Sequence, residues 1–122
     1  MELLSYVRET FEARFGSRPS FITRAPGRVN LVGEHTDYND GFVLPMAIDR
    51  GVWIALRPRS DGRVLAHALD LDDVTEFGLD RLVRSGARWS AYLKGVAWAL
   101  QEGGFEVGGW EGVLAGDVPR GA

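Results

Sequence analysis

The chain has 122 residues, of which 45% are hydrophobic and 25% charged, a net charge of -3 at pH 7, and no cysteine. These values are typical of one small globular domain, and the acidic balance disfavours nucleic acid as a partner. Without cysteine, disulfides and thiolate metal sites are excluded; with no long apolar run and no signal-peptide pattern, we expect a cytoplasmic protein that does not bind a membrane.

The chain opens with a predicted helix over Glu2 to Phe15, because apolar residues recur there at intervals of three and four. Gly16 supplies the stop signal at its carboxyl end. Phe21 to Thr23 then begins a strand. Pro26, further along that strand, has no N–H to donate and therefore predicts a sheet edge or a bulge.

A dense polar loop follows this strand. Val29 to Val32 is mostly apolar and predicts the end of a buried strand, whereas Glu34 to Asp40 is polar apart from the ring of Tyr38. Binding sites are often built where a rigid strand leads into such a loop.

The loop side chains are suited to hydroxyl groups. Glu34, His35 and Asp37 offer acceptors for the hydroxyls of a polyol such as a sugar. Thr36 adds a hydroxyl of its own. Upstream, Arg28 carries a planar guanidinium that suits a phosphate or a developing negative charge.

Two other interpretations of the loop stay open from the residues alone. Segments rich in Asp, Asn and Gly commonly form ordinary turns. The acidic and histidine side chains are also possible metal ligands, although their spacing matches no zinc or calcium loop pattern.

Apolar segments then alternate with turn signals. Phe42 to Ile48 is a short return, in which Phe42 and Met46 are expected to fill the core. Gly51 to Arg57 and Arg63 to Leu69 are strand-like and are separated by a turn, so we predict that they pair as a hairpin.

The remainder contains a strand, a helix and a last strand. Val74 to Phe77 is a further short strand within an acidic stretch that we expect to be solvated. Trp89 to Gln101 predicts a helix with Ser90 as its N-cap. Its expected apolar stripe consists of Trp89, Leu93, Val96, Ala97 and Leu100. Glu111 to Ala115 is the last strand, and the order of elements indicates an α+β fold with a mixed or antiparallel sheet and helices on one side.

Three stretches carry a resemblance to a known family. Gly27 to Pro45 resembles the signature segment of galactokinases, in the GHMP small-molecule kinase superfamily. Trp89 to Val96 resembles that family's helix with a Tyr-x-Lys/Arg-Gly-Val run. Gly116 to Ala122 resembles the lead-in to its phosphate-binding loop, so the resemblance extends along essentially the whole chain.

The resemblance implies the fold of the GHMP kinase N-terminal domain, which is similar to the second domain of ribosomal protein S5. Residues 1–122 would form the N-terminal galactose-binding part, ending just before the ATP phosphate-binding loop and leaving the sheet incomplete at its C-terminal end. We therefore expect self-association through an unpaired sheet edge.

Galactokinases transfer the γ-phosphoryl group of ATP to the anomeric hydroxyl of D-galactose with the help of Mg²⁺. The resemblance implies that the sugar is held by Glu34, His35, Thr36 and Asp37. It also implies that Arg28 stabilises the transferring phosphoryl group.

On the nucleotide side, the resemblance implies that Gly121 and Ala122 begin the phosphate loop. Trp89 would lie near the base, with simple core packing as the alternative. The family's catalytic Asp and Mg²⁺ ligands are not in this sequence, so we do not expect the chain to turn over alone.

Two alternative functions remain. One is a non-catalytic galactose-binding module or sensor, and the other is a kinase for N-acetylgalactosamine or another monosaccharide. The unbroken run from Glu34 to Gly41 favours galactose, and the presence of Arg28 favours descent from a catalyst.

Overall fold

The structure is a computed structural model that describes residues 2–32, 41–84, 86 and 88–119. Its elements are α1 Leu3–Phe15, β1 Phe21–Val32, β2 Leu44–Arg59, β3 Arg63–Ala68, β4 Asp73–Gly78, α2 Arg88–Glu102 and β5 Gly109–Gly116, with a 3₁₀ turn at Leu69–Leu71. In the described parts of the chain, no helix has both the length and the apolar character needed to cross a membrane.

The strands form one sheet in the order β1-β2-β5-β3-β4. β1 with β2, β2 with β5 and β3 with β4 are antiparallel pairs, whereas β3 and β5 are parallel. The sheet is therefore mixed, and the predicted α+β class is confirmed.

The predicted hairpin between β2 and β3 is wrong, because β5 lies between these strands. The turn signal itself is correct, since Gly62 has a φ of 69°. Gly109 starts β5 so close to β3 that an added Cβ would lie 2.6 Å from the carbonyl oxygen of Arg63. A local turn signal fixes how the chain reverses, but it does not decide which strand becomes the hydrogen-bonded neighbour.

The two helices cover opposite faces of the sheet. Val7 and Phe11 of α1 pack with Ala55, Val113 and Ala115, all of them fully buried. A second cluster places Ala97 of α2 against Val64, Ala66, Phe77 and Leu79, with Trp110 and Leu114 packed beside it. Because side chains alternate along a strand, odd-numbered β5 residues face α1 and even-numbered ones face α2. The expected arrangement of both helices on one side is therefore not what the structure has.

The helix boundaries agree with the sequence except at one cap. Gly16 ends α1 with a φ of 75°, and its N–H donates to the carbonyl of Glu12 at 2.9 Å. α2 begins at Arg88, so Ser90 is a buried residue inside the helix and not its N-cap. Of the predicted apolar stripe, Val96 and Leu100 are exposed.

β1 and β2 extend beyond the rest of the sheet as a two-stranded arm, residues 27–32 and 44–50. β2 pairs with β5 only from Val52 onwards, so the arm has no third strand among the residues that the structure describes. The expected burial of this region is consequently wrong: Val32 is 59% exposed, Met46 48% and Phe42 97%. The prediction for Pro26 is confirmed, because β1 is an edge strand and its register shifts between Pro26 and Arg28.

Candidate functional site

The arm holds the first predicted site residue. Arg28 lies on β1 opposite Ala47 of β2, and its side chain is exposed. Val32 pairs with Leu44, so the described ends of the polar loop are neighbours in the sheet. The predicted sugar-binding residues Glu34, His35, Thr36 and Asp37 lie outside the described residues.

The segment after β5 is tied to the base of the arm through Asp117. The N–H of Gly51 donates to Asp117 Oδ1 at 2.8 Å, and the N–H of Asp117 donates to the Gly51 carbonyl at 3.2 Å. The guanidinium of Arg50 donates to the Asp117 carbonyl at 3.4 Å. Asp117 thereby continues the β2–β5 ladder by one residue and fixes the path of the chain beyond it.

Val118 then packs directly against the arm. A Cβ added to Gly27 would lie 2.9 Å from Val118 Cγ2 and 3.2 Å from Ile48 Cδ1. A contact below 3.0 Å requires something to move, so the absence of a side chain at Gly27 is what allows this approach. The structure thus brings the predicted lead-in to the phosphate loop next to the residue that precedes Arg28. The predicted loop residues Gly121 and Ala122 lie outside the described part.

Trp89 is anchored at the start of α2. Its indole N–H donates to Asp73 Oδ2 at 2.8 Å, and its ring packs on the cluster under α2. This geometry supports the core-packing alternative for Trp89. Three carboxylates of the acidic stretch, those of Asp70, Asp73 and Glu76, thus have partners within the fold, which differs from the fully solvated stretch that we expected.

A cavity of about 630 Å³ lies between the segment before α2 and the helix itself. Arg84, Arg88 and Lys94 line it together with the indole of Trp98, Leu82 and Val83. Cationic groups beside an aromatic ring suit an anionic ligand that carries a flat ring. These residues were not among the predicted site residues, although the concentration of basic side chains at 81–94 of an acidic chain is visible in the sequence.

His67 is held by its neighbours within the fold. The guanidinium of Arg14 lies 3.0 Å from His67 Nδ1, and the rings of Phe15 and His67 are nearly perpendicular, with their centroids 5.8 Å apart. Burial, and then the charge of Arg14, lower the pKa of His67. A neutral imidazole that accepts from Arg14 accounts for this arrangement.

Metal ligands do not cluster among residues 2–32, 41–84, 86 and 88–119, where no group of three or more His, Asp or Glu side chains is placed to hold an ion. The open metal interpretation of the polar loop concerns residues outside the described ranges.

The sequence of this chain is similar to that of galactokinases. Residues 9–58 match the model of the galactokinase galactose-binding signature. A galactokinase from Roseiflexus sp. (strain RS-1) is 51% identical over 116 residues, which are 95% of this chain and 30% of that protein. The chain thus spans about a third of the length of the curated relatives it matches.

Solved structures show the same similarity to galactokinases. The galactokinase of Lactococcus lactis complexed with galactose superposes with a TM-score of 0.81 and 36% identity, covering 98% of this chain and 32% of that one. A mevalonate kinase has a TM-score of 0.64 at 20% identity, over 84% of this chain and 34% of its own. The second likeness shows the fold alone, which is the one that GHMP kinases share.

Proposed function

We propose that this chain, which matches the amino-terminal third of galactokinases, is the galactose-binding part of an enzyme that phosphorylates D-galactose with ATP to galactose 1-phosphate. The observation that carries the proposal is the match of residues 9–58 to the galactose-binding signature. The matched residues include both strands of the arm and the sequence of the polar loop between them.

In this proposal the loop reads the sugar. Glu34, His35 and Asp37 accept hydrogen bonds from hydroxyl groups, and Thr36 belongs to the same segment. Charge-assisted bonds to hydroxyls in fixed directions distinguish one sugar epimer from another, because a misplaced hydroxyl leaves an acceptor unpaired.

Arg28 serves the transferring group. Its exposed side chain on the arm leaves the guanidinium available to a ligand beside the loop. A guanidinium keeps its charge at all working pH values and can donate two parallel bonds to phosphoryl oxygens. Positioning and electrostatic stabilisation of this kind dominate phosphoryl transfer.

We assign nucleotide binding to the phosphate loop that follows the lead-in and to the cavity beside α2. Gly121 and Ala122 begin the segment whose backbone N–H groups would hold phosphate oxygens. The cavity beside α2, with its cations and the indole of Trp98, fits an adenine nucleotide, and Trp89 supports the wall of α2 from below. Bound Mg²⁺ neutralises charge that develops on the phosphates. We assign the whole enzyme to the cytoplasm.

A sugar titration tests the binding role. Calorimetry of the 122-residue chain with D-galactose, D-glucose and N-acetylgalactosamine should give saturable binding for galactose, and Asp37→Ala should weaken it. Asp61→Ala is the matched control, because Asp61 is an exposed carboxylate in the β2–β3 turn, remote from the loop. Preference for N-acetylgalactosamine would favour the alternative of a kinase for that sugar.

A chimera tests the catalytic role. Residues 1–122 should replace the matching segment of the Roseiflexus galactokinase, and galactose phosphorylation should be measured with Arg28→Ala. We expect kcat to fall about 100-fold, as for other groups that act on developing charge, with little change in KM for galactose. A chimera that binds galactose without turnover would favour the sensor.

A further inference from the structure

We propose that Asp117 is a positioning residue for the phosphoryl transfer, because it fixes the segment leading into the phosphate loop on β2, the strand that pairs with the one carrying Arg28. The inference rests on the proposed function and adds a residue to it. Asp117 has no assigned role in sugar or nucleotide binding.

The first support is the reciprocal pair between Asp117 and Gly51. One backbone N–H donates to the Asp117 carboxylate at 2.8 Å, and the Asp117 N–H donates back to the Gly51 carbonyl at 3.2 Å. Gly51 is itself paired with Pro26 of β1, and an added Cβ there would lie 2.7 Å from the carbonyl oxygen of Ala25. Pro26, Gly51 and Asp117 therefore form one row across three chain segments.

The second support is the contact one residue further on. Val118 meets Gly27 at a distance that leaves no room for a methyl group. Gly27 is covalently bonded to Arg28, and Val118 leads through Pro119 into Gly121. The apolar contact thus joins the lead-in directly to β1, and the polar pair joins it to β2, the strand hydrogen-bonded to β1.

A third bond holds the same turn from the far side. The N–H of Gly116 donates to Asp70 Oδ2 at 2.7 Å. The chain is consequently fixed on both sides just before it leaves the sheet. Reacting groups that must meet within a few tenths of an ångström need such support, since a displacement of about 1 Å can cost about 100-fold in rate.

The role of Asp117 in this arrangement is that of an acceptor and not of a charge. Its Oδ1 receives a backbone N–H, and an amide oxygen at the same place can receive it as well. Asp117→Asn should therefore preserve the geometry, whereas Asp117→Ala should release the segment.

The experiment uses the active chimera described above. We expect Asp117→Ala to lower kcat/KM for ATP about 10- to 100-fold and to raise KM for ATP, with KM for galactose within about twofold of the parent. Asp117→Asn should restore most of the activity. A purely structural defect would reduce the amount of folded enzyme and leave both KM values unchanged.

Asp61→Ala is the matched control, because Asp61 Oδ1 also accepts a backbone N–H, that of Arg63 at 3.2 Å, at the opposite end of β2. It should leave both KM values unchanged. If Asp117→Ala does not fold, Gly27→Ala provides the second route and should give the same ATP-side defect. Val118→Ala in that background should restore part of the activity, because the close approach of the new methyl group to Ile48 Cδ1, at 3.2 Å, remains.

The outcomes separate the two claims. An inactive parent chimera rejects the proposed function, and the positioning role falls with it. An active parent with unchanged KM for ATP in Asp117→Ala, an Asn variant as impaired as the Ala variant, or a Gly27→Ala defect that Val118→Ala does not relieve overturns the positioning role alone.

Discussion

The two faces of the sheet differ in how completely their apolar side chains are buried. On the α1 face, five residues of the central cluster have no exposed surface. Arg57 bonds there to Glu111 of β5 at 2.7 Å and to Ser17, just after the end of α1, at 2.6 Å. On the α2 face, the outer side of the helix leaves Tyr92 72%, Val96 62% and Trp98 56% exposed. The α1 face is completed by residues of this chain, and the α2 face presents apolar surface beyond what a solvated helix needs.

The largest effect should come from the α1 face. Phe11 is fully buried against β2 and β5, so Phe11→Ala should lower the free energy of unfolding by about 3–5 kcal/mol. Trp98→Ala, an equally drastic truncation on the outer side of α2, should change it by less than about 0.5 kcal/mol. Urea unfolding monitored by circular dichroism measures both, and equal losses would remove the distinction between the faces.

The second prediction concerns association of the 122-residue chain. We expect the apolar side of α2 to bind a second copy, in addition to any pairing through the β1 edge, because exposed apolar patches drive association. Val96→Lys should weaken self-association about tenfold, equivalent to about 1.4 kcal/mol. Sedimentation velocity over a range of concentrations measures this, with Glu102→Gln on the same helix as control. A parent chain that sediments as a monomer would contradict the prediction.

The third prediction concerns how α2 is held on its face. Trp89→Phe removes the 2.8 Å bond to Asp73 and keeps most of the packing, so we expect a loss of about 1 kcal/mol. A cycle with Asp73→Ala should return a coupling energy of the same size. Additive losses in that cycle would mean that the indole N–H contributes nothing beyond ring packing.

The smallest effect should be a pH dependence on the α1 face. The pKa of His67 is lowered in the folded chain, so the unfolded chain takes up the proton first as the pH falls below the ordinary value of 6.5. The contribution of His67 is therefore complete above that value and is lost progressively on acidification. Urea midpoints at pH 7.5 and 5.5 should differ less in His67→Gln than in the parent, and equal differences would refute this coupling.

Sequence patterns predicted most of the helices and strands, but they predicted less well which strands pair and which face of the sheet each helix covers. α1, its glycine stop and the edge position of Pro26 follow from local chemistry, since periodicity and a missing N–H act within a few residues. The pairing of β2 with β5 could not be predicted from the turn at Gly62, because β5 begins only at Gly109 and its insertion between β2 and β3 depends on tertiary packing.

The candidate site shows the same limit. Arg28 and the loop residues stood out because their types cluster in the sequence, and their roles remain proposals. In the sequence, Asp117 and Gly27 belong to separate motifs. Only the fold shows that Val118, the residue after Asp117, contacts Gly27. The cavity beside α2 was missed because its cations are spread over a coil and two helical turns.

β5 lies between β2 and β3 in the sheet but follows both of them in the sequence. During synthesis, β2 and β3 are therefore complete long before β5. The short turn at Ser60–Gly62 lets those strands meet directly, and such a hairpin would have to open again to admit residues 109–116. We therefore expect refolding to be limited by this exchange, since distant pairings form slowly. Pulsed amide exchange should find β3–β4 protected early and β5 late; simultaneous protection of all strands would show that the early hairpin does not form.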